Sequence, residues 1–383
     1  MSEPHSTSDS GSVGDVPAAS DLRPTSELRH DPLLRRWVAV AENRANRPHA
    51  FVSDDSPDEP SGCPFCEGHE DETPAELFAI RDSDGSSQVG SRPGHEWRVR
   101  VVKNKYPAVT VDDMPADDSS LGVDDATSSE TVAEDVRDHV THPGYGSHEV
   151  IIESPRHVAR TTDLTVSDLT DVLIAYRARL LDLRDDRRLR QAVVFKNVGA
   201  AAGATLEHAH SQLMALPFVP PLIAEELQGA KDYYERHGEC LFDAMLADEL
   251  SGSSRIVAEN ERFVSFCPFA SRAVYETWIM PRQHESHFEE ADDATLGDLA
   301  HLLLDCMHRI DAVLERPAYN YIIHSGPFDT PNLRHYHWYV EVVPRVTKIA
   351  GFEWATGCAI NLVAPETAAK RLREVAIPQF MGS

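Results

Sequence analysis

The chain has 383 residues, with 36 basic against 63 acidic side chains, and therefore a formal net charge of −27. Hydrophobic residues make up 41% and charged residues 26% of the chain, which excludes wholly disordered, collagen-like and coiled-coil proteins. Because an acidic surface repels phosphates, we expect neither nucleic acid nor an anionic membrane as a partner.

Targeting signals are not apparent in the sequence. No run approaches the roughly 18 apolar residues that a membrane-spanning helix needs. The first residues are polar and acidic, without the basic start and apolar stretch of a secretory signal. Six cysteines are too few for a disulfide scaffold in a chain of this length. We therefore expect a cytoplasmic protein.

Two acidic stretches set the boundaries of the ordered regions. Residues 1–26 are rich in Ser, Asp, Gly and Pro without apolar periodicity, which predicts a disordered acidic tail. Residues 111–138 are again acidic and poor in large apolar side chains, which predicts an exposed insertion. We expect an N-terminal unit over 27–220, which contains this insertion, and a C-terminal unit over 221–383.

Short strand-like runs alternate with two helical segments. Apolar residues recur at helical spacing over 169–180 and over 296–310, so each segment is predicted to bury one helix face. Five runs rich in β-branched and aromatic residues, bounded by Gly, Pro or Asn, predict strands. These runs lie at 149–152, 192–195, 276–279, 319–323 and 338–343.

The two halves also resemble each other. A shift of 127 residues sets His157 on His284, His208 on His335 and His210 on His337 without a gap. A looser match, at a shift of 177, sets Cys63 and Cys66 on Cys240 and Asp243. Either the matches arise by chance, or the chain is a duplication of one strand, helix, strand, strand unit; we favour the duplication.

A metal site is the first chemical feature. Cys63 and Cys66 are three residues apart, and with His157 and His208 they give the Cys2His2 set that tetrahedral zinc prefers. A closed set of four protein ligands is typical of a structural rather than a catalytic zinc. The alternatives for the cysteine pair are buried thiols or a redox motif.

The second feature is a run of small residues that ends in two histidines. Small residues over 199–204 allow the backbone to approach a ligand and to direct N–H groups at phosphate oxygens. In an extended His-x-His segment both imidazoles face the same side. With His208 on the metal, His210 is left to attack a phosphorus, and Gln212 on that side is suited to hold a phosphoryl oxygen. The alternative is two histidines packed on a strand.

The chain resembles the galactose-1-phosphate uridylyltransferase family, the transferase branch of the histidine triad superfamily. The resemblance is carried by segments at 31–48, 63–66, 103–107, 154–157, 208–212 and 348–353. It implies a ping-pong reaction in which His210 attacks the α-phosphorus of a nucleoside diphosphate sugar and expels the sugar 1-phosphate. The nucleotide then stays on the histidine until a second phosphate acceptor takes it. A homodimer is also implied.

The resemblance further implies roles for individual residues. Gln212 steadies the phosphoryl group together with a small hydroxyl residue, Thr205, and the remaining positions contact the substrate. Asn104 and Asn197 meet the nucleotide and phosphates, Arg44 and Arg47 clamp phosphate, and Lys348, Phe352 and Glu353 meet the sugar.

The sequence departs from the family pattern in two places. Ala209 and Ser211 replace the usual proline and glycine beside the second histidine, which favours a neighbouring subgroup that resembles plant-type ADP-glucose phosphorylases as much as galactose enzymes. The sequence offers two alternative sets of ligands for a second metal ion. The internal repeat indicates Cys240, Asp243, His284 and His335, whereas the family pattern indicates Glu226, His324 and His337, with Tyr339 where a further histidine is usual.

Taken together, these features predict an α+β protein of two histidine-triad-like units with antiparallel sheets and packed helices. We expect a hexose-1-phosphate nucleotidylyltransferase of the UDP-glucose:galactose-1-phosphate uridylyltransferase type. One alternative is an ADP-glucose phosphorylase. An alternative of another class is a zinc-stabilised nucleotide-binding module without turnover.

Overall fold

The computed structural model describes residues 27–31, 36–40, 62–81, 97–111 and 141–377. The predicted tail, the predicted insertion beyond residue 111, and both Arg44 and Arg47 lie outside the described residues. No helix in the described ranges is long and apolar enough to cross a membrane.

Antiparallel strands and helices make up the described fold. A small sheet pairs β2 (Arg36–Val40), β1 (Glu27–Asp31) and β5 (Thr141–Pro143), in that order. A large sheet has ten strands, which in chain order are β3 (Glu76–Arg81), β4 (Trp97–Lys103), β6 (Ser147–Ile152), β7 (Gln191–Val198), β8 (His210–Leu216), β9 (Ile256–Glu259), β10 (Phe263–Phe266), β11 (Thr277–Pro281), β12 (Tyr319–His324) and β13 (Tyr339–Pro344). The described helices are α1 (Val166–Arg184), α2 (Pro221–His237), α3 (Leu241–Gly252), α4 (Asp293–Leu314), α5 (Gly351–Thr356) and α6 (Pro365–Glu374).

The predicted α+β class is confirmed, as are the two predicted helices and five predicted strands. Helix α1 begins at a capping box, in which the Asp168 backbone N–H donates to the Thr165 hydroxyl at 3.1 Å. Such a cap stabilises a helix by about 1 kcal/mol. Both long helices bury their apolar stripe in one core cluster, which holds Leu173 of α1 and Leu303 of α4.

The large sheet is symmetric about its centre, as a duplicated fold requires. Its order is β3-β4-β6-β8-β7-β12-β13-β11-β10-β9, so the two halves mirror each other across the β7 and β12 pair. Both units therefore share one continuous sheet rather than two separate ones. The His-x-His segment leads into β8, which lies between β6 and β7.

The strand register corrects the repeat alignment. Val194 of β7 pairs with Leu213 of β8. The counterpart of Val194 at a shift of 127 is Tyr321, which pairs with Val342 of β13. Leu213 therefore corresponds to Val342, so the last strand of the repeat is shifted by 129 residues rather than 127.

This shift reassigns the second pair of histidines. His208 corresponds to His337, and His210 corresponds to Tyr339. The predicted match of His208 with His335 was wrong, because the chain from Tyr321 to Val342 is two residues longer than the chain from Val194 to Leu213. The C-terminal unit therefore has a tyrosine where the N-terminal unit has its candidate nucleophile.

Candidate active site

The structure brings the four predicted metal ligands together. Cys63 and Cys66 lie in the turn before β3, His157 follows β6, and His208 precedes β8. The sulfur and ring nitrogen atoms of these four side chains all lie within 4.8 Å of one another. Three segments that are distant in the chain therefore meet at one point.

The distances fit a tetrahedral zinc. Cys63 Sγ lies 3.5 Å and Cys66 Sγ 3.6 Å from His208 Nδ1, and Cys66 Sγ lies 3.4 Å from His157 Nδ1. With Zn–S of about 2.3 Å and Zn–N of about 2.0–2.1 Å, tetrahedral geometry places S and N about 3.6 Å apart. Two thiols and two imidazoles are also the donor types that zinc selects.

His208 is held in the form that a metal ligand needs. Its Nε2–H donates to the Ser154 carbonyl oxygen at 2.8 Å, so Nδ1, which faces the cysteines, is the deprotonated nitrogen. Burial lowers the pKa of His208 to about 4, so the ring is neutral near pH 7. Burial and the neighbouring Cys63 raise the pKa of the Cys66 thiol to about 11, and a cation between the two sulfurs would offset that repulsion.

His210, at the start of β8, has the opposite tautomer. Its Nδ1–H donates to the carbonyl oxygen of His208 at 2.7 Å, which makes Nε2 the deprotonated nitrogen. The ring of Phe65, between the two cysteines, packs edge-on against His210 at a centroid distance of 5.3 Å. The cysteine turn thus contributes both to the metal site and to the wall beside the candidate nucleophile.

A cavity of about 490 Å³ opens beside His210. Its volume is typical of ligand-binding pockets. The predicted residues Gln212, Asn104 and Thr205 line it together with His210. It is also lined by Lys103 and Lys105, which supply local positive charge, and by Asp71 and Glu72, which sequence reasoning did not single out.

Gln212 is fixed by two donors. Asn104 Nδ2 donates to its Oε1 at 3.3 Å, and His148 Nε2 lies 2.9 Å from the same oxygen. The Asn104 amide is itself oriented, because its Oδ1 accepts from the Tyr106 backbone N–H at 2.9 Å. Sequence reasoning left His148 unassigned, since its role depends on contacts between strands.

The small-residue run forms a tight turn after β7. Gly199 has φ of 82°, and a Cβ there would lie 2.8 Å from the Cβ of Ala318, so glycine is required. Asn197, the residue two before this glycine, accepts a hydrogen bond from Asn320 of β12 at 2.7 Å. Asn197 is not among the described residues that line the cavity.

The three predicted sugar contacts lie elsewhere in this chain. Lys348, before α5, and Phe352, on α5, are exposed, whereas Glu353 is half-buried. None of the three belongs to the described lining of the cavity. The Glu353 carboxylate accepts hydrogen bonds from the backbone N–H groups of Ala350 and Ile360, at 2.9 and 3.2 Å. It therefore connects the residue before this short helix with the chain that follows it.

The C-terminal unit contains a counterpart of the metal site. Ligand atoms of Cys240, Asp243 and His284 lie within 4.8 Å of one another. His337 is buried, and its Nε2 lies 3.9 Å from Asp243 Oδ1. The four residues correspond to Cys63, Cys66, His157 and His208, and His335 is not part of the group.

The other candidate set for a second metal does not form a cluster in the described residues. The hydroxyl of Tyr339 donates to the Glu226 carboxylate at 3.3 Å, and its ring stacks on His324 at a centroid distance of 4.3 Å. His324 in turn bonds to Glu341 at 2.9 Å. Tyr339 therefore contacts both Glu226 and His324, two of the residues that the family pattern would bring together on a metal ion.

Comparisons with known proteins show which family the chain matches. The galactose-1-phosphate uridyl transferase N-terminal domain profile matches residues 93–220, and the C-terminal domain profile matches residues 226–380. An ADP-glucose phosphorylase of Arabidopsis thaliana is 37% identical over 382 residues, covering 98% of this chain and all of that protein. A galactose-1-phosphate uridylyltransferase of Thermotoga maritima is 25% identical over 92% of this chain and 99% of that protein.

A solved structure is also similar over most of the chain. It is the crystal structure of an ADP-glucose phosphorylase from Arabidopsis thaliana with bound ADP-glucose, with a TM-score of 0.68 and 36% identity. The match covers 92% of this chain and 99% of that one. The chain is thus a nucleotidyltransferase, and it belongs to the galactose-1-phosphate uridylyltransferase family.

Proposed function

We propose that the enzyme transfers a nucleoside monophosphate between two phosphate acceptors through His210. The observation that carries this proposal is the Nδ1–H bond from His210 to the His208 carbonyl oxygen. In the neutral ring that bond leaves Nε2 without a hydrogen, so Nε2 can attack without a separate base. His210 also lines a cavity of ligand size, together with Gln212.

Transfer proceeds in two displacements. The Nε2 lone pair forms a bond to the α-phosphorus, and the bond from that phosphorus to the bridging oxygen breaks, so the sugar 1-phosphate leaves with the electron pair. A phosphate oxygen of the second substrate then attacks the same phosphorus, and the P–N bond breaks. The histidine returns to its starting form after each cycle.

Neutral and cationic donors stabilise the phosphoryl group during both steps. Gln212 offers amide hydrogens, Thr205 a hydroxyl, and Lys103 and Lys105 positive charge. Because Asp71 and Glu72 line the same cavity, the lysines supply positive charge at particular points of its wall rather than a net positive field. Because Gln212 has no titratable proton to give to a leaving group, it favours transfer over simple hydrolysis.

Zinc is proposed as the metal of the first site, held by Cys63, Cys66, His157 and His208. Such a closed site supplies folding free energy by joining distant segments of the chain. It also fixes the backbone at His208, whose carbonyl orients His210. We propose a second structural cation at Cys240, Asp243, His284 and His337, since three of these residues already share one ligand cluster.

For the substrates, we put UDP-glucose and galactose 1-phosphate first, in keeping with the family to which the chain belongs. A second candidate is the reaction of ADP-glucose with inorganic phosphate. It is favoured by the 37% identity to an ADP-glucose phosphorylase over 98% of this chain. A module without turnover is set aside because the relatives reported above are named as an ADP-glucose phosphorylase and a uridylyltransferase.

We further propose a homodimer that acts in the cytoplasm, with the two units of each chain divided at residue 220. Five large apolar side chains between residues 349 and 362 are more than half exposed, and burial against a second copy would remove them from water. They are Ile349, Phe352, Trp354, Ile360 and Leu362. None of the six cysteines, all of which lie in the described residues, forms a disulfide, as in proteins of reducing compartments.

Turnover assays with defined substrate pairs test the proposal. The enzyme is incubated with UDP-glucose plus galactose 1-phosphate, and separately with ADP-glucose plus phosphate, and sugar phosphates and nucleotides are quantified. Turnover of the first pair supports the uridylyl reaction, and turnover of the second pair alone supports the phosphorylase. Absence of both, in a folded protein with bound zinc, would contradict nucleotidyl transfer with these substrates.

A further inference from the structure

We infer that His148 is a positioning residue that aims the amide N–H groups of Gln212 into the cavity. This inference rests on the proposed function, because it assigns Gln212 a phosphoryl oxygen as its partner. His148 lies on β6, next to β8, and is 4% exposed. It does not line the cavity, so any influence on the reaction passes through a neighbour.

The tautomer of His148 follows from its partners. The backbone N–H of Ala108 donates to His148 Nδ1 at 3.0 Å, so Nδ1 carries no hydrogen. In a neutral ring the hydrogen then lies on Nε2. The Nε2–H group therefore donates to Gln212 Oε1, which lies 2.9 Å away.

The Nε2–H group of His148 determines the orientation of the Gln212 amide. The oxygen must face His148, because an amide N–H2 there would place donor against donor. Asn104 Nδ2 lies 3.1 Å from His148 Nε2, and both converge on the same oxygen. With Oε1 accepting two hydrogen bonds, the Gln212 amide presents its N–H2 group to the other side, where it can donate to a phosphoryl oxygen.

The alternative orientation would be harmful to the reaction. A flipped Gln212 would present a carbonyl oxygen to the phosphoryl group, and two acceptors would repel each other as negative charge develops. Preorganised donors lose their advantage when they must reorient during the reaction. The effect of His148 should therefore fall on kcat more than on KM.

Substitutions at His148 test this role. His148→Phe keeps a planar ring but removes both hydrogen bonds, and we expect kcat to fall about 10–100-fold with KM changed less than about 3-fold. His148→Gln retains an amide that can donate to Gln212 and accept from Ala108, and should recover most of the loss. A control is His287→Phe, which removes a buried, hydrogen-bonded histidine of the other unit. It should lower the melting temperature without a selective loss of kcat.

A double-mutant cycle separates positioning from general damage. In a Gln212→Ala background, His148→Phe should reduce kcat less than about 2-fold further, because the group that it positions is gone. Equal fold losses in both backgrounds, or normal kcat in folded His148→Phe, would overturn the inference. If the wild-type enzyme transfers no nucleotide, the proposed function has failed instead.

Discussion

A buried ion pair beneath the His-x-His strand provides the sharpest test of how the fold supports the site. Lys196 of β7 and Glu153, just after β6, form an ion pair, and both side chains are fully buried. Glu153 also accepts from the Tyr176 hydroxyl at 3.2 Å, and its backbone N–H donates to the carbonyl oxygen of Ala209, between the two histidines. Replacing Lys196 by Met leaves the Glu153 carboxylate buried without its cation.

The expected cost follows from the burial of the pair. Removing one partner of a buried ion pair costs about 3–5 kcal/mol, because the remaining charge has lost its compensation. With an unfolding entropy of about 2.1 cal/mol/K per residue, that cost corresponds to a fall in melting temperature of roughly 4–6 °C for a chain of 383 residues. The assay is thermal unfolding by circular dichroism at fixed pH and salt, with denaturant unfolding as a second measurement.

Two variants make the result interpretable. Lys196→Met combined with Glu153→Gln removes both charges and retains an acceptor for Tyr176, so it should recover at least half of the lost stability. Lys370→Met disrupts a pair with Glu374 in which both side chains are about two-thirds exposed, and should change stability by less than about 0.5 kcal/mol. A loss from Lys196→Met as small as this control would refute the reasoning.

Three further predictions concern the metal, the solvent and the glycine turn. Cys63→Ser should remove most of the bound zinc, measured by elemental analysis, and lower the melting temperature, whereas full metal content would contradict the assigned ligands. Raising KCl from about 0.1 M to about 2 M should raise the melting temperature, because salt screens the self-repulsion of a chain with net charge −27; a steady fall would contradict this. Gly199→Ala should destabilise the protein by about 1–3 kcal/mol in denaturant titrations, since its Cβ would meet Ala318 at 2.8 Å and the residue has φ of 82°. Unchanged stability of the Gly199→Ala variant would contradict the requirement for glycine in this turn.

The parts of the fold that follow simple periodicity were predictable. Helices α1 and α4 and the five strands next to them have regular apolar patterns, and the repeat indicated two related units. Strand β4 was missed although Trp97, Val99 and Val101 alternate with two arginines, a pattern that is typical of a strand. Helix α2 was missed because Ala230 is its one fully buried residue, so its sequence has little to distinguish it from an exposed segment.

The site was predictable where spacing carries the chemistry. The cysteine pair and the His-x-His segment indicated a metal and a nucleophile, and the structure places Phe65 of the cysteine turn beside His210 in the cavity lining. The second-unit match at His335 failed because a comparison without gaps cannot detect a two-residue difference in the segment before Tyr339. His148 could not be found, because its partner Gln212 lies on the neighbouring strand and only the register brings them together.

Intact-protein mass spectrometry after brief mixing with a nucleotide sugar tests the central claim most directly. The wild-type enzyme should gain the mass of one nucleotidyl group, with UDP-glucose or with ADP-glucose, and lose it when the matching acceptor is added. The His210→Asn variant should gain nothing while retaining its zinc and its melting temperature. An adduct of unchanged yield in that variant would show that His210 does not carry the nucleotide.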